Sequence, residues 1–281
     1  MSHTTQTICF AGGGVAVDCH DADSARIASH LYRHLARDRI APVRVRLQLR
    51  RAANPAEYVL FCEEKLIYRG PSRGMAAALL LERSLHYLAH QCRGGLLLHA
   101  ACVARRGSAV VLPGVAGAGK TTLTAWLVTR RFDYLTDELV FLREETMRVE
   151  AFRRPLHVKR RARAVLAPWV DFDAPDSVMR TPDGFLVSPT LLNPAAAPAA
   201  AEASLLLFPR YEEGAGLDLR PISPARAGLL LLAALVNARA LPRHGFGQTS
   251  QLARDLPAYV LTYGAVDQIG DRIEALLDRR S

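Results

Sequence analysis

Residues 114–121 read Gly114-Val115-Ala116-Gly117-Ala118-Gly119-Lys120-Thr121. The spacing is G-x-x-x-x-G-K-[ST], the pattern of a loop that wraps phosphate. The flanks agree with it. An apolar run, Ala109-Val110-Val111-Leu112, enters the loop as a strand, and Thr121-Thr122-Leu123-Thr124-Ala125-Trp126-Leu127 leaves it as a helix. Phosphate oxygens must be met by backbone N–H groups, so the chain has to curl closely around them. The small residues Ala116, Gly117, Ala118 and Gly119 permit that approach. The helix N-terminus adds donors and a partial positive charge. Lys120 supplies a point charge for the β- and γ-phosphates, and the Thr121 hydroxyl can ligate Mg²⁺. Residues Gly114 to Thr122 are therefore the candidate nucleotide-binding segment, with ATP and Mg²⁺ as expected cofactors.

A phosphate loop does not say what happens to the nucleotide. The nearest acidic pair, Asp137-Glu138, lies seventeen residues past Lys120, between Tyr134-Leu135-Thr136 and Leu139-Val140-Phe141-Leu142. Two adjacent carboxylates between apolar runs suit a strand junction or bulge. There they are costly unless paired with a metal or a proton. One can hold Mg²⁺ while the other accepts a proton from an incoming hydroxyl. The alternative is an exposed turn with two solvated acids. His99 sits in Leu96-Leu97-Leu98-His99-Ala100-Ala101, an apolar strand just ahead of the loop's own strand. By itself it reads as a core histidine or as a partner of that chemistry.

Composition bounds the rest. The chain has 281 residues, half of them apolar and 22% charged, which suits one large or two modest globular domains. The longest apolar run, Ala227 to Val236, has ten residues. A bilayer-spanning helix needs about 18–20, so no membrane partner is expected. The opening MSHTTQTICFAGGG lacks a basic stretch followed by an apolar one, so the expected location is cytoplasmic. Five cysteines at wide gaps, without C-x-x-C, argue against a disulfide framework or a structural zinc site. Cys62, Cys92 and Cys102 read as core.

The net charge of +9 splits almost evenly, +5 over residues 1–94 (13 basic, 8 acidic) and +4 over 95–281 (23 basic, 19 acidic). Net charge thus points to no partner. There is no aromatic–basic platform for nucleic acid. One cluster differs: Arg153, Arg154, Lys159, Arg160, Arg161 and Arg163 occur with no acid among them. It reads either as a solvated loop or as an anion-binding surface. Lys159 stands out because the chain has only three lysines.

Along the chain, residues 1–93 read as a small α/β unit that could recognise substrate. Short strands are expected at Thr7–Phe10 and Val15–Val17, with a turn at glycines 12–14 and no phosphate role for them. A helix follows over Arg26–Arg37, capped by Asp23 or Ser24. Val43–Leu49 alternates as a half-buried strand. Tyr58–Phe61 and Lys65–Tyr68 form a hairpin, and 72–92 a helix. Residues 94–281 form a second block carrying the loop: strands at Leu96–Val103 and Ser108–Leu112, a helix over Lys120–Thr129, and a strand pair around Tyr134–Leu142. The Pro/Ala-rich stretch Asn193–Ala203 reads as a linker. Leu205–Phe208 is a strand, and Pro224–Asn237 and Asp267–Arg279 are helices. The fold class is α/β: a P-loop-bearing mixed sheet with flanking helices plus the small N-terminal unit.

Taken together, His99, the loop and the acidic pair resemble the C-terminal catalytic domain of HPr kinase/phosphorylase, a bacterial serine kinase structurally akin to phosphoenolpyruvate carboxykinase. The chain resembles HPr-kinase-related proteins of the HprK-related kinase A type more than HPr kinase itself. The phrases Leu98-His99-Ala100-Ala101, Leu112-Pro113-Gly114, Thr136-Asp137-Glu138-Leu139, Arg154-Pro155-Leu156-His157-Val158-Lys159, Phe208-Pro209-Arg210-Tyr211 and Leu256-Pro257-Ala258-Tyr259 carry the resemblance from about residue 94 to the end. It implies Asp137 as the base that deprotonates an acceptor serine, with His99 orienting or tuning it. Glu138 and Thr121 would assist Mg²⁺, Glu138 standing where the family has Asp. Arg154, Lys159 and Arg210 are implied candidates for phosphate or substrate contacts. The substrate class implied is a peptide or small protein, with a PqqD-like partner and a homo-oligomeric assembly among the expectations. The later signature segment of HPr kinase is absent, so phosphorylase activity and HPr as substrate are not implied.

Three functions compete at this stage. The first is an ATP- and Mg-dependent kinase of a Ser/Thr hydroxyl on a peptide or small protein. The second is a kinase of a small molecule. The third is a non-catalytic ATP-binding regulatory module.

Overall fold

The computed structural model describes residues 3–35, 40–52, 56–195, 197–267 and 269–278. Arg37 and Arg279, the expected ends of two helices, lie outside these residues, as does Ala196. In chain order the elements begin with β1 (Thr4–Phe10), β2 (Gly13–Cys19), α1 (Ala22–Tyr32), β3 (Val43–Arg51), β4 (Tyr58–Cys62), β5 (Lys65–Gly70) and α2 (Arg73–Gln91). Next come β6 (Gly95–Arg105), β7 (Ser108–Pro113), α3 (Lys120–Thr129), β8 (Asp133–Thr136), β9 (Leu139–Arg143), β10 (Arg148–Glu150) and β11 (Leu156–Lys159). A single turn α4 (Arg163–Leu166), β12 (Val178–Arg180), β13 (Gly184–Val187) and a second single turn α5 (Pro189–Leu192) follow. The chain closes with β14 (Ala200–Tyr211), β15 (Asp218–Pro221), α6 (Pro224–Ala234), α7 (Phe246–Asp255), β16 (Ala258–Tyr263) and α8 (Gly270–Asp278).

These elements divide into two compact units. The first contains residues up to Arg93 together with 153–163 and 171–188. Its five-stranded sheet runs in the order β1-β2-β3-β4-β5. Only β2 and β3 pair parallel, because α1 supplies the crossover between them. Ala11 and Gly12, both at positive φ, form the two-residue corner of the β1–β2 hairpin, and Gly13 and Gly14 already belong to β2. Helix α1 starts earlier than the sequence suggests. Asp21, not Asp23 or Ser24, is the cap: its Oδ1 accepts from the N–H groups of Asp23 and Ser24 at 3.0 and 2.9 Å. Ser72 caps α2 the same way, accepting from Met75 N at 3.1 Å.

The basic segment is not a plain loop, although Lys159, Arg160, Arg161 and Arg163 are exposed. Its residues build β11, which pairs with β13 in a three-stranded antiparallel sheet, β11-β13-β12, and then a 3₁₀ turn over Arg160–Ala162. This small sheet belongs to the first unit, where the His30 ring bonds the Leu186 carbonyl at 3.1 Å. All five cysteines are buried free thiols.

The second unit is built on an eight-stranded mixed sheet, β10-β9-β6-β7-β14-β16-β15, with β8 continuing the pairing of β6. An additional pairing of β10 with the start of β14 closes β9, β6, β7, β14 and β10 into a ring. The Pro/Ala-rich stretch is therefore only partly a linker. Its last residues, Ala200–Ala203, enter β14, where small side chains fit between neighbouring strands on both edges. Strands β7, β14 and β16 run parallel. One sheet face, carrying Leu96, Leu98, Ala100 and Cys102 of β6 and Leu206 and Phe208 of β14, packs a core against Ala227 and Leu231 of α6 and Leu252 and Ala253 of α7. Helix α7 and strands β15 and β16 have no counterpart in the sequence reading. Among the described residues, no helix is long and apolar enough to cross a membrane.

Candidate functional site

The site grows from β6. On one edge β6 pairs with β7, ending at Ala100↔Pro113, so the loop 114–119 departs beside His99. On the other edge β6 pairs first with β9, up to His99↔Leu139, and then with β8, from Cys102↔Thr136. The interruption between β8 and β9 is Asp137-Glu138, opposite Ala100-Ala101, with one bond retained from Ala100 N to Glu138 O at 3.2 Å. One strand thus brings the loop, His99 and the acidic pair to one place, although they are spread over forty residues of sequence.

Lys120 opens α3 and is itself buried. Its Nζ donates to the Gly114 carbonyl at 2.6 Å and to the Val115 carbonyl at 3.1 Å, and lies 3.1 Å from His99 Nε2. An ammonium group has three hydrogens and no acceptor capacity, so Nε2 of His99 must be the acceptor. That fixes the ring as the tautomer protonated on Nδ1. The Nδ1–H then points at Glu138 Oε1, 3.2 Å away. The result is a chain from carboxylate through imidazole to ammonium. Asp137 is only 2% exposed, whereas Glu138 is half-exposed.

The loop is shaped by backbone needs. Gly117 and Gly119 adopt φ of 89° and 91°, the left-handed region that favours glycine. Val115, Ala116 and Gly117 form its exposed rim. The first helical bond of α3 runs from Leu123 N to Gly119 O, at 3.0 Å, so the N–H groups of Lys120, Thr121 and Thr122 precede the ladder. Two tyrosines bolt the loop's exit to the sheet. Tyr211 N donates to Ala118 O at 3.2 Å, and Tyr263 Oη donates to Gly119 O at 3.1 Å. Burial, with Tyr211 adding to it, pushes the Tyr263 phenol above its usual range, so it stays a neutral donor.

The sequence reading did not find Tyr211 and Tyr263. A signal was present: Ala258-Tyr259-Val260-Leu261-Thr262-Tyr263 after Pro257 has strand character. By the alternation of β14, Arg210 falls on the face of Phe208, away from His99, while Tyr211 falls on the face of the loop. Arg154 and Lys159 belong to the first unit. Arg154 is buried, its Nη1 donating to the Pro155 carbonyl at 2.9 Å. Lys159 is the exposed last residue of β11.

Among the described residues, no group of three or more His, Cys, Asp or Glu side chains could hold a metal ion by itself. Magnesium does not need one. It binds through one or two carboxylates and completes its shell with waters and substrate phosphates. The Thr121 hydroxyl and the Glu138 carboxylate are hard oxygen donors, and their chemistry suits Mg²⁺.

No protein-family model matches the chain, and no curated protein does. Among solved structures it is similar to the HPr(Ser) kinase/phosphatase from Coxiella burnetii. The similarity has 14% identity and a TM-score of 0.35, over 66% of this chain and 95% of that one.

Proposed function

We propose that the chain is an ATP-dependent kinase, carrying the γ-phosphoryl group to a Ser/Thr hydroxyl of a peptide or small protein. The observation that carries this reading is the Lys120–His99–Glu138 chain at the mouth of the loop, with Asp137 beside it in sequence. In this reading the N–H groups of 116–122 surround the phosphates. Lys120 exchanges its carbonyl partners, Gly114 and Val115, for phosphate oxygens, which are charged and better acceptors. His99 keeps the ammonium aimed at the phosphates, because its own orientation is fixed by Glu138. Asp137 takes the hydroxyl proton as the acceptor approaches. Thr121 and Glu138 would hold Mg²⁺, which when bound neutralises phosphate charge.

The test is ADP formation by the purified chain, dependent on Mg²⁺ and on an acceptor. An acceptor screen read by mass, for the gain of one phosphoryl group, separates peptides from small molecules. Asp137→Asn is expected to abolish transfer and to leave ATP binding intact. Full activity in that variant removes Asp137 as the base. Tight ATP binding with no turnover on any acceptor favours the regulatory module instead.

A further inference from the structure

Tyr211 is 46% exposed, an unusual place for a ring at the end of a central strand. Its position is fixed from three sides. Strands β14 and β16 pair in parallel with Tyr211 opposite Tyr263, so both side chains leave the same face. The two rings meet edge-on, with centroids 5.8 Å apart and planes at 67°. The backbone of Tyr211 is held by Ala118 O, and a Cβ placed on Gly119 would stand 3.0 Å from its own Cβ. Tyr263, at 1% exposure, is the buried anchor, and Tyr211 is the open half of the pair. A rigid, open aromatic face therefore stands at the exit of the loop, where α3 begins.

We propose that Tyr211 is the shelf on which the base of a bound nucleotide stacks; this rests on the nucleotide-binding reading above. A triphosphate held at the loop directs its nucleoside away from Lys120, past the first turn of α3. A flat, uncharged base is the ligand chemistry that an open aromatic face accepts. Stacking is tolerant of base identity, since every base has a π-face. The shelf thus distinguishes a nucleotide from a bare triphosphate, and does not choose between ATP and GTP. Arg210, on the opposite face of β14, takes no part.

The experiment compares binding of ATP, GTP and inorganic tripolyphosphate by calorimetry, with Mg²⁺ present, to the full chain and to Tyr211→Ala and Tyr211→Phe. The wild-type chain is expected to bind ATP and GTP within a few-fold of each other, and both more tightly than tripolyphosphate. Tyr211→Ala should weaken ATP binding at least fivefold, the low end of a single base–aromatic stack. It should leave tripolyphosphate binding within about twofold, and Tyr211→Phe should behave as wild type. In parallel, nuclear Overhauser contacts between adenine protons and the Tyr211 ring are expected in the unmutated chain. Equal affinity of the wild-type chain for ATP and tripolyphosphate overturns the shelf and leaves the phosphate loop standing. Equal losses for both ligands in Tyr211→Ala also overturn it, because the tyrosine would then act only by bracing the loop. Failure of the wild-type chain to bind any of the three ligands overturns both readings.

Discussion

Replacing Gly119 by alanine probes the loop where it is most constrained. The residue sits at φ 91°, and its new Cβ would lie 2.2 Å from the Tyr263 hydroxyl oxygen and 3.0 Å from Tyr211 Cβ. The left-handed backbone alone costs an alanine about 1–2 kcal/mol. Tyr263 is buried and cannot simply swing aside, so its bond to Gly119 O is lost or bent, a further ~0.5–1.5 kcal/mol. About 2–3 kcal/mol therefore falls on the loop. If it is relieved by deforming the loop, ATP affinity should drop about thirtyfold to a hundred-and-fiftyfold. Gly107 provides the control. It has φ 85° with nothing within 4 Å of an added Cβ, so Gly107→Ala carries the backbone cost without the collision. That variant should lose about 1–2 kcal/mol of stability, read by urea unfolding, and bind ATP normally. Removing the colliding oxygen tests the cause. In the double variant Gly119→Ala/Tyr263→Phe, roughly 1 kcal/mol should return relative to the sum of the single changes. ATP binding by Gly119→Ala at wild-type strength would refute the reasoning. Strict additivity in the double variant would refute the steric part of it.

Further outcomes are expected elsewhere. Nitrogen-15 shifts of His99 should report a neutral ring protonated on Nδ1; a proton on Nε2 would reverse the order of the Glu138–His99–Lys120 chain. Asp21→Ala should cost about 1 kcal/mol at pH 7, the usual worth of such a cap. Burial raises the Asp21 pKa, but bonds from Ser24 and Arg51 outweigh it and hold the carboxyl below its ordinary value of 3.8. Its stabilisation is therefore present above that value and lost as pH falls through the folded one, so wild type and variant should converge in acid. Burial likewise holds His30 below its ordinary 6.5. The unfolded chain then takes up the proton first, and stability should fall as pH drops below about 6.5, a slope that His30→Gln should reduce in urea midpoints between pH 8 and 5.

The local elements were legible where a pattern is local. The loop at 114–119, its strand and its helix follow from eight residues and their flanks, and β3 from a strict alternation of apolar and polar side chains. What pairing decides was not legible. Ala200–Ala203 looks like linker because alanine and proline lack strand propensity, yet the segment is a strand because β7 and β10 fill its two edges. Arg154 reads either as a solvated charge or as part of an anion-binding surface, and it is buried, next to a strand, β11, whose partner β13 lies twenty-five or more residues onward. The tyrosine brace escaped for the same reason: nothing in the order of residues shows that β14 and β16 are neighbours.

The acidic pair shows why the site needs a flaw in its sheet. Residues directly opposite in an antiparallel ladder leave the same face, so Leu139, paired with His99, shares its face. Thr136, paired with Cys102, belongs to the other, and a regular strand would return to the face of His99 at Asp137. In an unbroken strand Glu138 would then point into the core with Leu98 and Val140, where an unpaired carboxylate is costly. Instead the ladder breaks at these two residues, and Glu138 turns to meet His99 Nδ1 at 3.2 Å. The break lets Glu138 leave the face that a period of two assigns it. Asp137 is buried, and Glu138 is spent on setting the histidine that faces Lys120. The irregularity, rather than the regular strands around it, is therefore what joins a carboxylate through an imidazole to the ammonium group.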